Sequence, residues 1–151
     1  MEIWELTARE RIRDSIARYN WSGDAFRLDE LAMAFCPEGV LEIRGDEPIR
    51  GRDAIVALLG TVAPGATPAP AGVKRIVRHV LSNVRFLEIA PKRASVASYF
   101  TVVTEIGLDH YGRYRDVFVP ADDDQWLIEH RLVSTDWRAP DSTMASADSI
   151  R

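Results

Sequence analysis

Cysteine is nearly missing from this chain. Cys36 stands alone, which excludes an internal disulfide and any site built from several thiolates. A lone thiol is usually a small buried hydrophobe, so Cys36 is assigned to the core. A basic excess is missing too: 19 Lys and Arg stand against 23 Asp and Glu, for a net charge of −4. The arginines alternate with acidic residues, so no global field draws in nucleic acid. No apolar run approaches the roughly 20 residues of a membrane-spanning helix. The first ten residues, MEIWELTARE, lack the basic-then-apolar order of a secretion signal. These absences point to a reducing cytoplasm, with no membrane partner. Glycines are scattered at turns and form no phosphate-cradling loop. The three histidines and the carboxylates show no metal-ligand spacing, so neither a metal nor a cofactor is expected.

What is present fits one domain. A chain of 151 residues can bury a real core. Thr7-x-x-Glu10 reads as a capping box that opens a helix, and Ala8, Ile12, Ile16 and Tyr19 recur at helical spacing. Ser22-Gly23-Asp24 is turn chemistry and ends it near Trp21. A second helix carries Leu28, Leu31, Ala32 and Phe35 on one face, and Cys36-Pro37-Glu38-Gly39 breaks it. A short strand at 40–44, a brief one at 49–50 and a helix at 52–62 follow. The segment 64–72, PGATPAPAG, is a proline–alanine loop.

The rest reads as sheet. The longest strand, 73–89, carries Ile76, Val80, Val84 and Phe86 on one parity and Val77, His79, Leu81 and Asn83 on the other. A histidine and an asparagine on an otherwise apolar face need a partner, from the protein or from a ligand. Strands at 94–106, 111–119 and 126–137 complete a meander rich in β-branched and aromatic residues. Helices grouped before an antiparallel sheet predict an α+β domain, with three N-terminal helices packed against a curved sheet that closes into a cone with a pocket. Both faces of the longest strand carry apolar residues, so a second subunit is expected on the outer one and a homodimer follows. The domain spans 1–137. Residues 138–151 have the composition of a flexible tail.

Several residues carry a resemblance. Ile12, Tyr19, Trp21 and Asp24 lead into Leu28-Asp29-Glu30-Leu31, Phe35 and Gly39-Val40. Then come Gly51-Arg52-Asp53-Ala54-Ile55, Arg78-His79 with Asn83, Gly112-Arg113-Tyr114-Arg115-Asp116 and Asp124-Gln125-Trp126. The ordered set resembles SnoaL-like proteins of the nuclear transport factor 2-like superfamily, and within it the scytalone dehydratase-like subgroup. The resemblance implies a histidine base on the long strand oriented by an aspartate after the first helix. Those positions are His79 and Asp24. The second pocket histidine of scytalone dehydratase is missing, and Ser98 and Tyr99 stand near its place, which argues against scytalone as substrate.

Each candidate has a bland alternative. An imidazole can take and return a proton at working pH, so His79 is a candidate base, or it can be a core histidine bonded to a backbone carbonyl. Asp24 can fix its tautomer or cap a helix. Tyr19, Tyr99 and Tyr114 are candidate pocket phenols for a developing enolate, or packing residues with satisfied hydroxyls. Asn83 can orient substrate or bond across the sheet. In the run 113–116 either Tyr114 and Asp116 point inward, adding an acid to the pocket, or Arg113 and Arg115 do, suiting an anionic substrate. His110, assigned to a turn, and His130, on the last strand, are expected to be surface or structural. The resulting expectation is a cofactor-independent lyase or isomerase acting on small, mostly apolar substrates, cyclic ones included. A non-catalytic small-molecule-binding protein and an accessory subunit with the same pocket are the alternatives.

Overall fold

A computed structural model describes residues 1–62, 70–145 and 150. Helix α1 (Ile3–Asp24) starts earlier than the capping box suggests. Thr7 lies inside it, and its hydroxyl donates to the Ile3 carbonyl at 3.0 Å, the back-bond of a mid-helix threonine. Glu5 and Arg9 pair across one turn at 2.6 Å and support this added segment. The helix also runs on through Ser22-Gly23. Gly23 is tolerated there because a Cβ would meet the Leu31 side chain at 3.0 Å, so the glycine lets helix α2 (Leu28–Ala32) approach closely. Phe26 ends the first helix in a left-handed conformation, φ 58°, with its amide donating to the Gly23 carbonyl. Asp24 is therefore the last helical residue, not a cap of the next helix.

Strand β1 (Phe35–Ile43) absorbs Phe35 and the Cys36–Gly39 segment, both assigned to a helix and its terminator by sequence. Its register against the last strand shifts between Phe35 and Val40, which is where Pro37 and Gly39 interrupt the ladder. Cys36 there is only half-buried, not a core residue. Strand β2 (Ile49–Arg50) and helix α3 (Arg52–Val62) follow. The loop expected at 64–72 lies mostly outside the described residues. Strands β3 (Arg78–Ala90), β4 (Arg93–Thr104), β5 (Gly107–Pro120) and β6 (Trp126–Arg138) form the meander.

The sheet has six strands in the order β2-β1-β6-β5-β4-β3. It is mixed, not wholly antiparallel, because β1 runs parallel to β6. The fold is α+β, with three helices on a curved sheet. Ile12, Ile16 and Tyr19 of α1 pack on Phe35, Val96, Phe118 and Ile128 and form the core between helix and sheet. Among the described residues no helix is long and apolar enough to cross a membrane.

One irregularity reorganises β3. Its register against β4 shifts between Ser82 and Arg85, and Asn83 there takes a left-handed φ of 52°. Asparagine is among the few side chains that tolerate this conformation. The bulge switches the inward parity. Val77, His79 and Leu81 point to the core before it, and Val84 and Phe86 after it. Ile76 and Val80, expected to share the face of Val84 and Phe86, are exposed on the outer side. That outer face also carries Leu87, Tyr99, Val103 and the stacked pair Tyr111–Trp137.

Part of the segment after β6 packs against the sheet. Ala139 and Ser142 are buried, and Met144 packs on Val77, Phe100 and Tyr114.

Candidate active site

The last turn of α1 meets the start of β3. Asp24 Oδ1 lies 2.6 Å from His79 Nδ1, and Asp24 Oδ2 accepts the His79 backbone amide at 2.9 Å. An ionised carboxylate only accepts, so the Nδ1 proton is held on Asp24 and Nε2 is left as the lone-pair nitrogen. Both side chains are mostly buried, at 20% and 13% exposed. A carboxylate at a helix C-terminus faces the negative end of the helix dipole, and no basic residue in that turn offsets it. The second contact, to the backbone of β3, is therefore what fixes Asp24 in place.

His79 borders two spaces. Outside it a groove of about 690 Å³ runs between α1 and β3, lined by Ile16, Trp21, Arg27, Leu81 and Val84 among others. Inside it an apolar cavity of about 150 Å³ is walled by Leu31, Leu41, Val77, Phe100, Val133 and Tyr114. Asn20, one turn before Asp24, lines both. Its side-chain oxygen is buried without a hydrogen-bond partner. Such a group costs free energy unless something else supplies the donor.

Behind two tyrosines of the cavity, Tyr19 and Tyr114, lies a buried ion pair. Asp116 and Arg131 are fully buried and bonded twice, at 2.8 and 2.7 Å. The Arg131 guanidinium lies between the rings of Tyr19 and Tyr114, 4.2 and 4.1 Å from their centroids. Desolvation pulls the guanidinium towards neutrality, but the charge and hydrogen bonds of Asp116 outweigh it and hold Arg131 charged. Burial raises both phenols above the ordinary tyrosine range, against the opposing pull of Arg131. Tyr19 and Tyr114 are thus held as neutral phenols.

A second histidine enters the cavity from β5. His110 is buried, stands edge-on to Phe100 with centroids 5.8 Å apart, and has its Nδ1 2.6 Å from Asp109 Oδ1. Burial lowers its pKa more than Asp109 raises it. Among the described residues no group of three or more His, Cys, Asp or Glu side chains converges to hold a metal ion.

This architecture has relatives. The sequence profile of the SnoaL-like domain matches residues 4–132, most of the chain. The chain belongs to the SnoaL-like domain family. No curated protein matches it. Solved structures with the same fold include a candidate scytalone dehydratase from Novosphingobium aromaticivorans DSM 12444. It is 21% identical, with a TM-score of 0.74 and coverage of 92% of this chain and 91% of that one. A protein of Catenulispora acidiphila solved in complex with S-DNPA is 25% identical, with a TM-score of 0.71 and coverage of 85% and 92%. An NTF2-like protein with a cystatin-like fold, also from N. aromaticivorans, is 22% identical, with a TM-score of 0.72 and coverage of 95% and 87%.

Within this SnoaL-like domain the sequence candidates separate. His79, Tyr19 and Tyr114 line the cavity, and Asp24 lines the groove on the other side of His79. Tyr114 and Asp116 are the inward pair, and Arg113 turns out to bond Asp136. Asp116 is no free pocket acid, because Arg131 occupies both its oxygens. Tyr99 is 52% exposed on the outer face, since Ser98 is the inward residue at that point of β4. Asn83 is also exposed and leaves the site, because the bulge it forms turns Val84 inward instead. His110 is not in a turn: the reversal falls at Glu105–Ile106, and β5 already begins at Gly107. His130 is half-buried and pairs with Glu42 at 2.8 Å.

The sequence missed Arg131, Asn20 and His110. An inward Asp116 required a cation somewhere, which was the available signal for Arg131. Only the β5–β6 register, which places Asp116 opposite Arg131, names it.

Proposed function

We propose that this SnoaL-like protein is a cofactor-independent lyase or isomerase of the dehydratase type. Its substrate is small, mostly apolar and cyclic. His79 Nε2 removes a proton from carbon beside a carbonyl, and water loss or a double-bond shift follows. Asp24 keeps the tautomer and favours the imidazolium formed in that step. The single observation that supports this most is the 2.6 Å Asp24–His79 contact at the wall of an apolar cavity. Apolar walls with a few converging polar groups are the usual form of a small-molecule site. The phenols of Tyr19 and Tyr114 are neutral donors suited to a developing enolate oxygen. The likeness to a candidate scytalone dehydratase agrees with this chemistry at the level of fold.

We also infer that the outer sheet face, with Val80, Leu87, Tyr99 and Val103 exposed, is covered by a second copy of the chain. The compartment is read as the cytoplasm.

An NMR titration of the His79 ring with small cyclic ketones tests the site. Ring nitrogen and carbon resonances of His79 are expected to shift on binding. A His79 ring indifferent to every such probe would leave the binding-protein or accessory-subunit reading in its place.

A further inference from the structure

The cavity holds two imidazoles, and the reaction proposed above uses only one. His110, like His79, is bonded through Nδ1 to a carboxylate. Its carboxylate partner, Asp109, is 2% exposed. Asp109 Oδ1 accepts from His110 Nδ1 at 2.6 Å and from Ser142 Oγ at 2.6 Å, and Oδ2 accepts from Thr104 Oγ1 at 3.3 Å. Ser142, in the segment after β6, is itself held by Arg138, the last residue of β6, which donates to its carbonyl at 2.9 Å. An ionised carboxylate accepts only. It therefore keeps the His110 proton on Nδ1, and Nε2 presents a lone pair. Among the described residues that nitrogen has no hydrogen-bond partner, and the ring lines the same cavity as His79 and Tyr114.

A histidine serving only as core filling has no need of an orienting carboxylate that is itself triply bonded. We propose that His110 is a substrate-recognition residue whose Nε2 accepts a hydrogen bond from a hydroxyl of the ligand, so that the cavity selects hydroxylated cyclic carbonyl compounds. The rest of the cavity fits this division. His110 stands edge-on to Phe100, which stacks on the neutral phenol of Tyr114, and the rest of that cluster, Val77, Val102 and Met144, is apolar. A ligand hydroxyl on that side has His110 as its acceptor, and a ligand lacking it leaves Nε2 dry and unpaired. The proposal rests on the reading of the cavity as a substrate site.

The test compares 4-hydroxyacetophenone with acetophenone by calorimetric or NMR titration of the full chain. Wild type is expected to bind the hydroxylated probe about tenfold more tightly, the loss typical of one buried hydrogen bond left unmade. His110→Leu is expected to remove that preference, and His79→Ala to retain it. Because a leucine beside Asp109 risks the fold, the wild-type ring gives an independent readout. The His110 Nε2 resonance should move with 4-hydroxyacetophenone and stay with acetophenone. Equal affinity of the two probes, or a preference that survives in a folded His110→Leu variant, overturns the recognition role and leaves the His79 site standing. Failure of both probes to bind overturns both readings together.

Discussion

Asp24 grips His79 twice, once through the ring and once through the backbone amide. The two bonds, 2.6 and 2.9 Å, come from the two oxygens of one carboxylate. The ring bond sets the tautomer. The amide bond ties the end of α1 to the start of β3, so the geometry does not depend on the ring alone. Asp24→Asn should keep the second contact through its amide oxygen and disturb the first, because an amide can donate to Nδ1 and reverse the tautomer. Long-range nitrogen NMR of His79 should show an Nδ1–H tautomer in wild type and a mixed or reversed one in Asp24→Asn. Activity on a turned-over substrate should fall with it, by a substantial part of the 10²–10⁴-fold that a positioned base contributes, roughly.

Arg131 and Asp116 should be inseparable. Arg131→Met leaves a buried carboxylate without its cation, and a loss of about 3–5 kcal/mol of stability is expected. Asp116→Leu combined with Arg131→Met should cost less than the sum of the two single changes, because no uncompensated charge remains. Urea midpoints of the three variants check this. Additive losses would mean that the pair is not the unit described.

His110 gives a pH dependence of definite sign. Its folded-state pKa lies below the ordinary histidine value of about 6.5, chiefly through burial. Between those two values the unfolded chain binds the extra proton. The stability held by neutral His110 is therefore complete above about pH 6.5 and is lost as the pH falls towards the folded-state value. Wild type should lose more stability than His110→Gln between pH 7.5 and 5.5. Parallel profiles would contradict the burial argument.

The outer face of β3 and β4 predicts association. Val80→Lys with Val103→Glu should convert a dimer into a folded monomer in equilibrium sedimentation at micromolar concentration, since neither side chain enters the core. A wild-type monomer under those conditions would remove the second copy from the account.

Much of this fold is written locally. The stripe Ile12, Ile16, Tyr19 and the alternation through 94–106 and 126–137 each mark an element without help from the rest of the chain. The β3 parity was not legible, because one left-handed residue, Asn83, turns Val84 and Phe86 inward, and a second register shift between Phe86 and Glu88 returns Ile89 to the core. A bulge has no period, and asparagine is common in strands' polar positions and in turns alike. Asp24 and His79 were legible as a pair through the resemblance, and their contact depends on α1 running three residues past its expected end. His110 was hidden by a turn assigned too late, and Arg131 by a register that only the folded sheet defines. Tyr99 lies on the outer face and Ser98 on the inner one, and a single residue of register decides which.

The central claim is that His79 takes a proton from carbon, and it can be measured without knowing the natural substrate. The protein is incubated with 1-tetralone in deuterium oxide near neutrality, and deuterium entering the carbon beside the carbonyl is followed by NMR. Wild type should accelerate the exchange above buffer, and His79→Ala should fall back to the buffer rate while keeping its far-UV circular dichroism. Exchange no faster than buffer in wild type, or equal in wild type and His79→Ala, would contradict the account.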